Sequence, residues 1–242
     1  MKLSQRAALS TVFCLGTIAF AQAPLAHVLP AKTGYFTASA PLDLSELIPP
    51  PPAPNSSAGA ADLAELHQIQ QSRTPAQITA ARTDEKQENM FYLRSVMGDS
   101  FTPSNLPLLA ALSDHLKSEQ SVVSNALKAE FRRPRPYQSD PTLHPVCGTT
   151  VFPNSYPSGH TITGYLEAFT LIEIVPEKSH EILERAADFA HNRMVCGVHY
   201  RSDVVAGRDV AYTVFGYLMA QPRFQSELAA ARIETRKRLG IN

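Results

Sequence analysis

The chain has 242 residues with 22 basic and 22 acidic side chains, so its formal net charge is zero. That balance excludes a global field drawing it to nucleic acid or to an anionic membrane, and any anion it recognises must meet a local cluster of cations. With 44% hydrophobic residues the length suffices for one large domain and a sizeable core.

The first segment is not part of a fold. Lys2 and Arg6 precede an apolar run from Ala7 to Phe20 and then small residues, the pattern of a secretory signal peptide over residues 1–23. Ala21 and Ala23 both suit cleavage, which is expected between residues 21 and 26. The run is short for a membrane span, and Phe13 before Cys14 does not suit a lipid anchor. Residues 24–57 lack periodic pattern and contain "LIPPPPAPNSS", which predicts an extended proline-rich arm along the surface.

From residue 58 to 242 the pattern is helical. "AADLAELHQIQQSR" predicts one helix, and "TPAQITAARTDEKQENMFYLRSVMG" a second with a Thr-Pro start signal. "PSNLPLLAALSDHLKSEQSVVSNALKAEFRR" predicts two helices broken near Ser118. Pro134, Pro136, Pro141, Pro145, Pro153 and Pro157 then remove any helical period. After them Ile162, Leu166, Phe169 and Ile172 recur at helical spacing, as do Ile182, Ala186 and Phe189 in a helix opening near Pro176. A further helix runs from about Tyr200 to Met219. "RFQSELAAARIETRKRL" closes the chain as a charged helix whose Arg236-Lys237-Arg238 run reads as a solvated end. With no convincing alternating strand and no internal repeat, the fold class is all-α, a single compact helical domain. No segment after the leader is long and apolar enough to span a membrane, so the mature protein is expected to be soluble.

Past the leader two cysteines remain, Cys147 and Cys196. In an exported chain they read as one disulfide. It closes a loop of about 50 residues, worth roughly 4 kcal/mol on the chain-entropy account.

Three segments carry polar residues that a plain bundle does not need. "KAEFRRPRP" holds Lys128 and Arg135 seven apart, with Arg132 and Arg133 between; "PSGH" holds Ser158, Gly159 and His160; "RMVCGVHYRSD" holds Arg193, His199 and Asp203 across a Cys-Gly break. Singly each has a plain reading: a solvated loop, a helix cap, or an i,i+4 pair on a helix face. Together, Lys128, Arg135 and Arg193 supply three cations for a group with several equatorial oxygens. The turn at Ser158 and Gly159 adds helix-start amides, with no Cβ at Gly159 to hold an anion away. His199, with Asp203 one turn on to fix its tautomer, suits a nucleophile, and His160 beside the cradle suits a general acid.

The pattern Lys-x6-Arg-Pro, Pro-Ser-Gly-His and Arg-x5-His-x3-Asp resembles the signature of the type 2 phosphatidic acid phosphatase superfamily. Here it reads Lys128 to Arg135-Pro136, Pro157 to His160, and Arg193 to His199 to Asp203, with Asn192 where the signature has Ser. The leader, the helical body and the "LIPPPPAPNSS" arm are similar to the bacterial class A non-specific acid phosphatases. The resemblance implies the helical fold that superfamily shares with vanadium haloperoxidases. It also implies a periplasmic hydrolase of small phosphomonoesters acting through a phosphohistidine, with no metal or other cofactor, often as a homo-oligomer, with phosphotransfer as a side activity. Lys128, Arg135, Ser158, Gly159 and Arg193 would hold the phosphate, and His199, His160 and Asp203 would be catalytic.

Vanadate-dependent haloperoxidases and membrane lipid phosphatases share the pocket, but the former are usually much longer and the latter need transmembrane helices. A non-catalytic periplasmic phosphate-binding protein would need the cations but not His199 with Asp203. A serine hydrolase is disfavoured by Tyr156 two residues before Ser158; "KTG" at residues 32–34 has no Ser-x-x-Lys to accompany it. A zinc site from His144, His160 and His199 lacks ligand spacing. Tyr137 and Tyr156 are the candidates for the wall beyond the phosphate. Asp203 is expected to raise the pKa of His199 and the cations to lower that of His160, with an optimum at roughly pH 5 to 6.5.

Overall fold

In the computed structural model the described residues are 33–37 and 43–241; the expected signal peptide, with Cys14, lies outside them. The helices in chain order are α1 (Ser57–Ser72), α2 (Pro75–Glu85), α3 (Arg94–Met97), α4 (Pro107–Phe131), α5 (Pro136–Ser139), α6 (Gly159–Ile174), α7 (Ser179–Val195), α8 (Arg201–Met219) and α9 (Pro222–Leu239). Turns of 3₁₀ helix occupy Met90–Leu93 and Pro176–Lys178, and there is no strand among the described residues.

Helix α6 is the axis of the domain. It packs against α8, α7, α4 and α9, and it buries Ile162, Leu166, Phe169 and Ile174 together with Thr161, Thr163, Glu167 and Thr170. A helix buried around most of its girth needs neighbours on every side, and four helices supply them. Its start is therefore held inside the molecule, where the helix dipole and the unpaired first-turn amides keep their strength.

Two helical expectations are corrected. Helix α4 runs unbroken through Ser118. The polar stretch does not break it because Leu116, Glu119, Gln120, Val123, Ser124 and Leu127 continue one buried face. Glu119 accepts the amides of Phe36 and Thr37 and the Thr37 hydroxyl, while Gln120 and Ser124 face the cavity described below. The second correction is the long helix expected over residues 74–98. The Thr74–Gln77 capping box opens α2 as the Thr-Pro signal predicts, but α2 stops at Glu85. Asn89 then caps the following 3₁₀ turn, its Oδ1 accepting the Phe91 amide at 3.1 Å, a local bond that competes with helix continuation.

The described part of the arm does more than lie along the surface. Phe36, Leu44 and Ile48 are buried in the main core, Phe36 edge-on to Phe224 at 5.3 Å. At the far end of the chain Arg236 pairs with Glu177 of the second 3₁₀ turn, at 2.7 Å. No helix among the described residues is long and apolar enough to cross a membrane.

Candidate active site

The three sequence segments converge on one cavity of about 350 Å³, lined by Lys128, Arg135, Gly159, His160, Arg193 and His199 among others. Each segment arrives by a helix end. Lys128 sits in the last turn of α4, after which Arg132 takes a left-handed conformation and turns the chain. Gly159 and His160 are the first residues of α6, and Arg193 is in the last turn of α7. That helix ends in a Schellman arrangement: Gly197 is left-handed at φ 75°, its amide bonds Met194 O at 2.8 Å, and the Val198 amide bonds Arg193 O at 3.3 Å. The turn delivers His199 to the cavity just before α8 begins with Asp203 in its first turn. A disulfide joins Cys147 to Cys196, with Cα atoms 5.2 Å apart; it ties the loop carrying Gly148, Thr150 and Asn154 to the Arg193 turn.

The cavity is built for an anion. A Cβ at Gly159 would lie 3.1 Å from Gln120 Nε2 and 3.3 Å from both Lys128 Nζ and Ser124 Oγ; only glycine leaves the helix start open here. The Gly159 and His160 amides are those an α-helix leaves without an intrahelical acceptor. Arg193 is buried, and its Nε is without a partner; so is the Oγ of buried Ser124. Such orphaned polar atoms are uncommon in folded interiors, and these two belong to residues on the wall of the same cationic cavity. Burial and the neighbouring Arg135 bring Lys128 down to about 8, and burial brings Arg193 down to about 10, so both remain cations at neutral and acid pH.

His199 is fixed at both ring nitrogens. Nδ1 lies 3.3 Å from Asp203 Oδ2, and Arg135 Nη1 donates to Nε2 at 2.9 Å. The carboxylate requires the hydrogen on Nδ1, leaving the lone pair on Nε2. Asp203 is shared widely: it accepts from Arg133 Nη1 at 2.7 Å, Ser155 Oγ at 2.5 Å and the Tyr200 amide at 2.9 Å. The expectation that Asp203 raises the His199 pKa is therefore overturned. Burial, then Arg135, Arg193 and Lys128, hold it well below the ordinary histidine value. His160 is also lowered, to about 4, by burial and Arg193.

Some expected residues are placed differently. Ser158 Oγ caps α6, accepting the Thr161 amide at 3.4 Å and the Thr161 hydroxyl at 2.9 Å; it is buried beside the cavity without lining it. Tyr156 is not a cavity wall, because its hydroxyl is bound to Pro49 O at 2.5 Å and its ring packs on Phe131. Tyr137 also stays outside, donating to Thr150 O at 3.1 Å. His144 is exposed and away from the cavity. Asn192, the departure from the signature, donates to Asp84 Oδ2 at 2.7 Å next to the Arg185–Asp84 pair, so it ties α7 to α2.

Sequence reasoning missed Glu85, Glu88, Lys117, Gln120 and Ser124 on the cavity wall and the clamp by Arg133. Gln120 and Ser124 precede Lys128 by eight and four residues, so helical periodicity could have found them. Glu88 has no such signal, since it follows the unexpected end of α2.

A PAP2 superfamily model matches residues 115–227, a span containing Lys128, Arg135, His160, Arg193, His199 and Asp203. A non-specific acid phosphatase of Providencia stuartii is 30% identical over 246 residues, covering 95% of this chain and 98% of that one. A non-specific acid phosphatase of Salmonella typhimurium is 36% identical over 143 residues, where the match spans 57% of each chain. Among solved structures, a transmembrane PAP2-type phosphatidylglycerolphosphate phosphatase from Bacillus subtilis is similar at a TM-score of 0.47. Its identity is 20%, over 68% of this chain and 86% of that one. The chain belongs to the PAP2 superfamily, within the non-specific acid phosphatases.

Proposed function

We propose that the chain hydrolyses small phosphomonoesters through a phosphohistidine on His199. The observation that carries this reading is the pair of orphaned buried atoms, Arg193 Nε and Ser124 Oγ, at a cavity also lined by Lys128, Arg135 and the open start of α6. A phosphoryl group has the charge and the spread of oxygens to satisfy them, and its transfer depends mainly on positioning and charge stabilisation.

The bound ester draws the Arg135 donor onto its own oxygen and frees His199 Nε2. The Nε2 lone pair attacks phosphorus, the P–O ester bond breaks, and the leaving alkoxide takes a proton from His160. Nδ1 keeps its hydrogen and donates it to the Asp203 carboxylate, which offsets the charge left on the ring. Water then attacks phosphorus while neutral His160 takes its proton, and the P–N electron pair returns to Nε2. The relatives named as acid phosphatases support this assignment. The Lys2–Arg6 leader pattern and the disulfide support an exported, periplasmic enzyme.

His199→Asn tests the reading. It should abolish turnover of nitrophenyl phosphate and the alkali-stable phosphoenzyme while orthovanadate still binds, and wild-type turnover should persist in EDTA. Near-normal turnover by the variant would overturn the nucleophile assignment.

A further inference from the structure

We propose that Glu88, held in place by Lys117, is a positioning residue for His160, gripping the Nε2 edge of the ring so that Nδ1 is the nitrogen that trades a proton with the leaving oxygen. The inference rests on the phosphatase reading above and deepens its acid–base half.

Three elements meet here. Glu88 lies in the bend after α2, Lys117 on α4 and His160 at the start of α6. The Nε2 edge of His160 is hydrogen-bonded to the Glu85 carbonyl oxygen at 3.1 Å, and Glu88 Oε1 stands at ion-pair distance from the same nitrogen, 3.3 Å. Both neighbours are acceptors, so Nε2 bears a hydrogen in either protonation state. The second, mobile proton must then reside on Nδ1. Lys117 Nζ donates to Glu88 at 2.5 Å and stops the carboxylate from swinging into the cavity. His199 likewise has a carboxylate at one ring nitrogen, Asp203 at Nδ1. Each of the two histidines thus has its own carboxylate.

The electrostatics give the pairing a purpose. The cavity wall that His160 shares carries Lys128 and Lys117 from α4, Arg135 from the start of α5, Arg193 from α7 and His199 from the turn before α8. Against them stand Glu88 and the Glu85 carboxylate on the cavity wall. Burial and Arg193 strip the ring of its proton, whereas Glu88 works in the opposite sense. A general acid needs that proton, so the charge of Glu88 offsets part of what the phosphate cradle costs.

Glu88→Gln in the full chain keeps the size and the acceptor but removes the charge. Two measurements read the result. The first is the titration of the His160 ring by NMR, assigned against His160→Asn; it needs no turnover and should move to lower pH. The second is the pH dependence of kcat/KM. Its alkaline limb should move to lower pH, and activity on glycerol 2-phosphate above that limb should fall about tenfold for every pH unit the limb moves. The loss on p-nitrophenyl phosphate should be much smaller, because that leaving group needs little protonation. An unmoved His160 titration, or equal losses on both esters with an unmoved limb, would overturn the proposal. Failure of the wild-type chain to hydrolyse either ester would strike the phosphatase reading instead, while the titration would still decide the coupling.

Discussion

His160 is half-buried in a cavity lined by Lys117, Lys128, Arg135 and Arg193, and its pKa of about 4 has a kinetic consequence. In the free enzyme the protonated acid disappears as pH rises past that value. A phosphate dianion bound next to the ring pulls its pKa up again. The alkaline limb of kcat/KM, which reports the free enzyme, should therefore lie at lower pH than the limb of kcat. His199 is held well below the ordinary histidine range, so its protonation should cut no activity near pH 5 to 6. Profiles of both parameters between pH 4 and 9 check this, and coinciding limbs above about pH 6.5 would contradict it. At this scale the sequence was informative about Lys128, Arg135, Arg193, His199 and Asp203, because their spacing is local to helix ends. It was silent on Glu88 and misleading about Tyr156, since neither position carries a periodic or motif signal. The direction of the His199 shift was unreadable too, because it sums over Arg135, Lys128 and Arg193 from three separate elements.

Among elements, the Cys147–Cys196 bridge couples the proline-rich loop to the end of α7. Gly148, Thr150 and Asn154 reach the cavity from that loop, and Asn154 Oδ1 accepts from Arg135 Nε at 2.9 Å. The buried Arg193 guanidinium also approaches Cys196 Sγ, at 3.7 Å. Replacing both cysteines, Cys147→Ser with Cys196→Ser, frees a loop with a sequence separation of 49 in the unfolded chain. Denaturant unfolding should show a loss of roughly 2–5 kcal/mol. Inhibition by inorganic phosphate should weaken in parallel because the loop no longer holds Asn154 on Arg135. Unchanged inhibition would show that the bridge acts on stability alone. The helices that sequence placed well, α6 and α8, carry apolar residues at helical spacing. The uninterrupted α4 and the early stop of α2 escaped it because Glu119 and Asn89 are settled by partners, one on the distant arm and one in the next turn.

For the molecule as a whole, the buried carboxyl of Glu167 in the centre of α6 sets a pH dependence of folding. Ser113 donates to its Oε1 at 2.9 Å, and Oε2 has no partner. Burial raises its pKa well above the ordinary glutamate value. A raised folded pKa means that the contribution is fully present below the unfolded value of about 4.3 and is lost as pH rises through the folded one. Glu167→Gln removes that titration. The variant should gain thermal stability relative to wild type as pH rises from 4.5 to 8, as followed by calorimetry with phosphate absent. A difference in Tm that stays constant across the range would mean that the group does not titrate on unfolding.

The sequence by itself determined the all-α class, the cation triad and the two histidines, because helical period and motif spacing are properties of neighbouring residues, and the cysteine pairing, because only two cysteines follow the leader pattern. Only the tertiary structure decided which polar side chains face the cavity. It made Ser158 a cap and Asn192 an interhelical tie, turned Tyr156 onto Pro49, gave Asp203 to Arg133 as well as to His199, and brought Glu88 to His160. The physical reason is range. Hydrogen bonds and charges act over a few ångströms between groups that lie tens of residues apart in the chain, and only the packing of α4, α7 and α8 around α6, with α2 laid on α7, makes them neighbours.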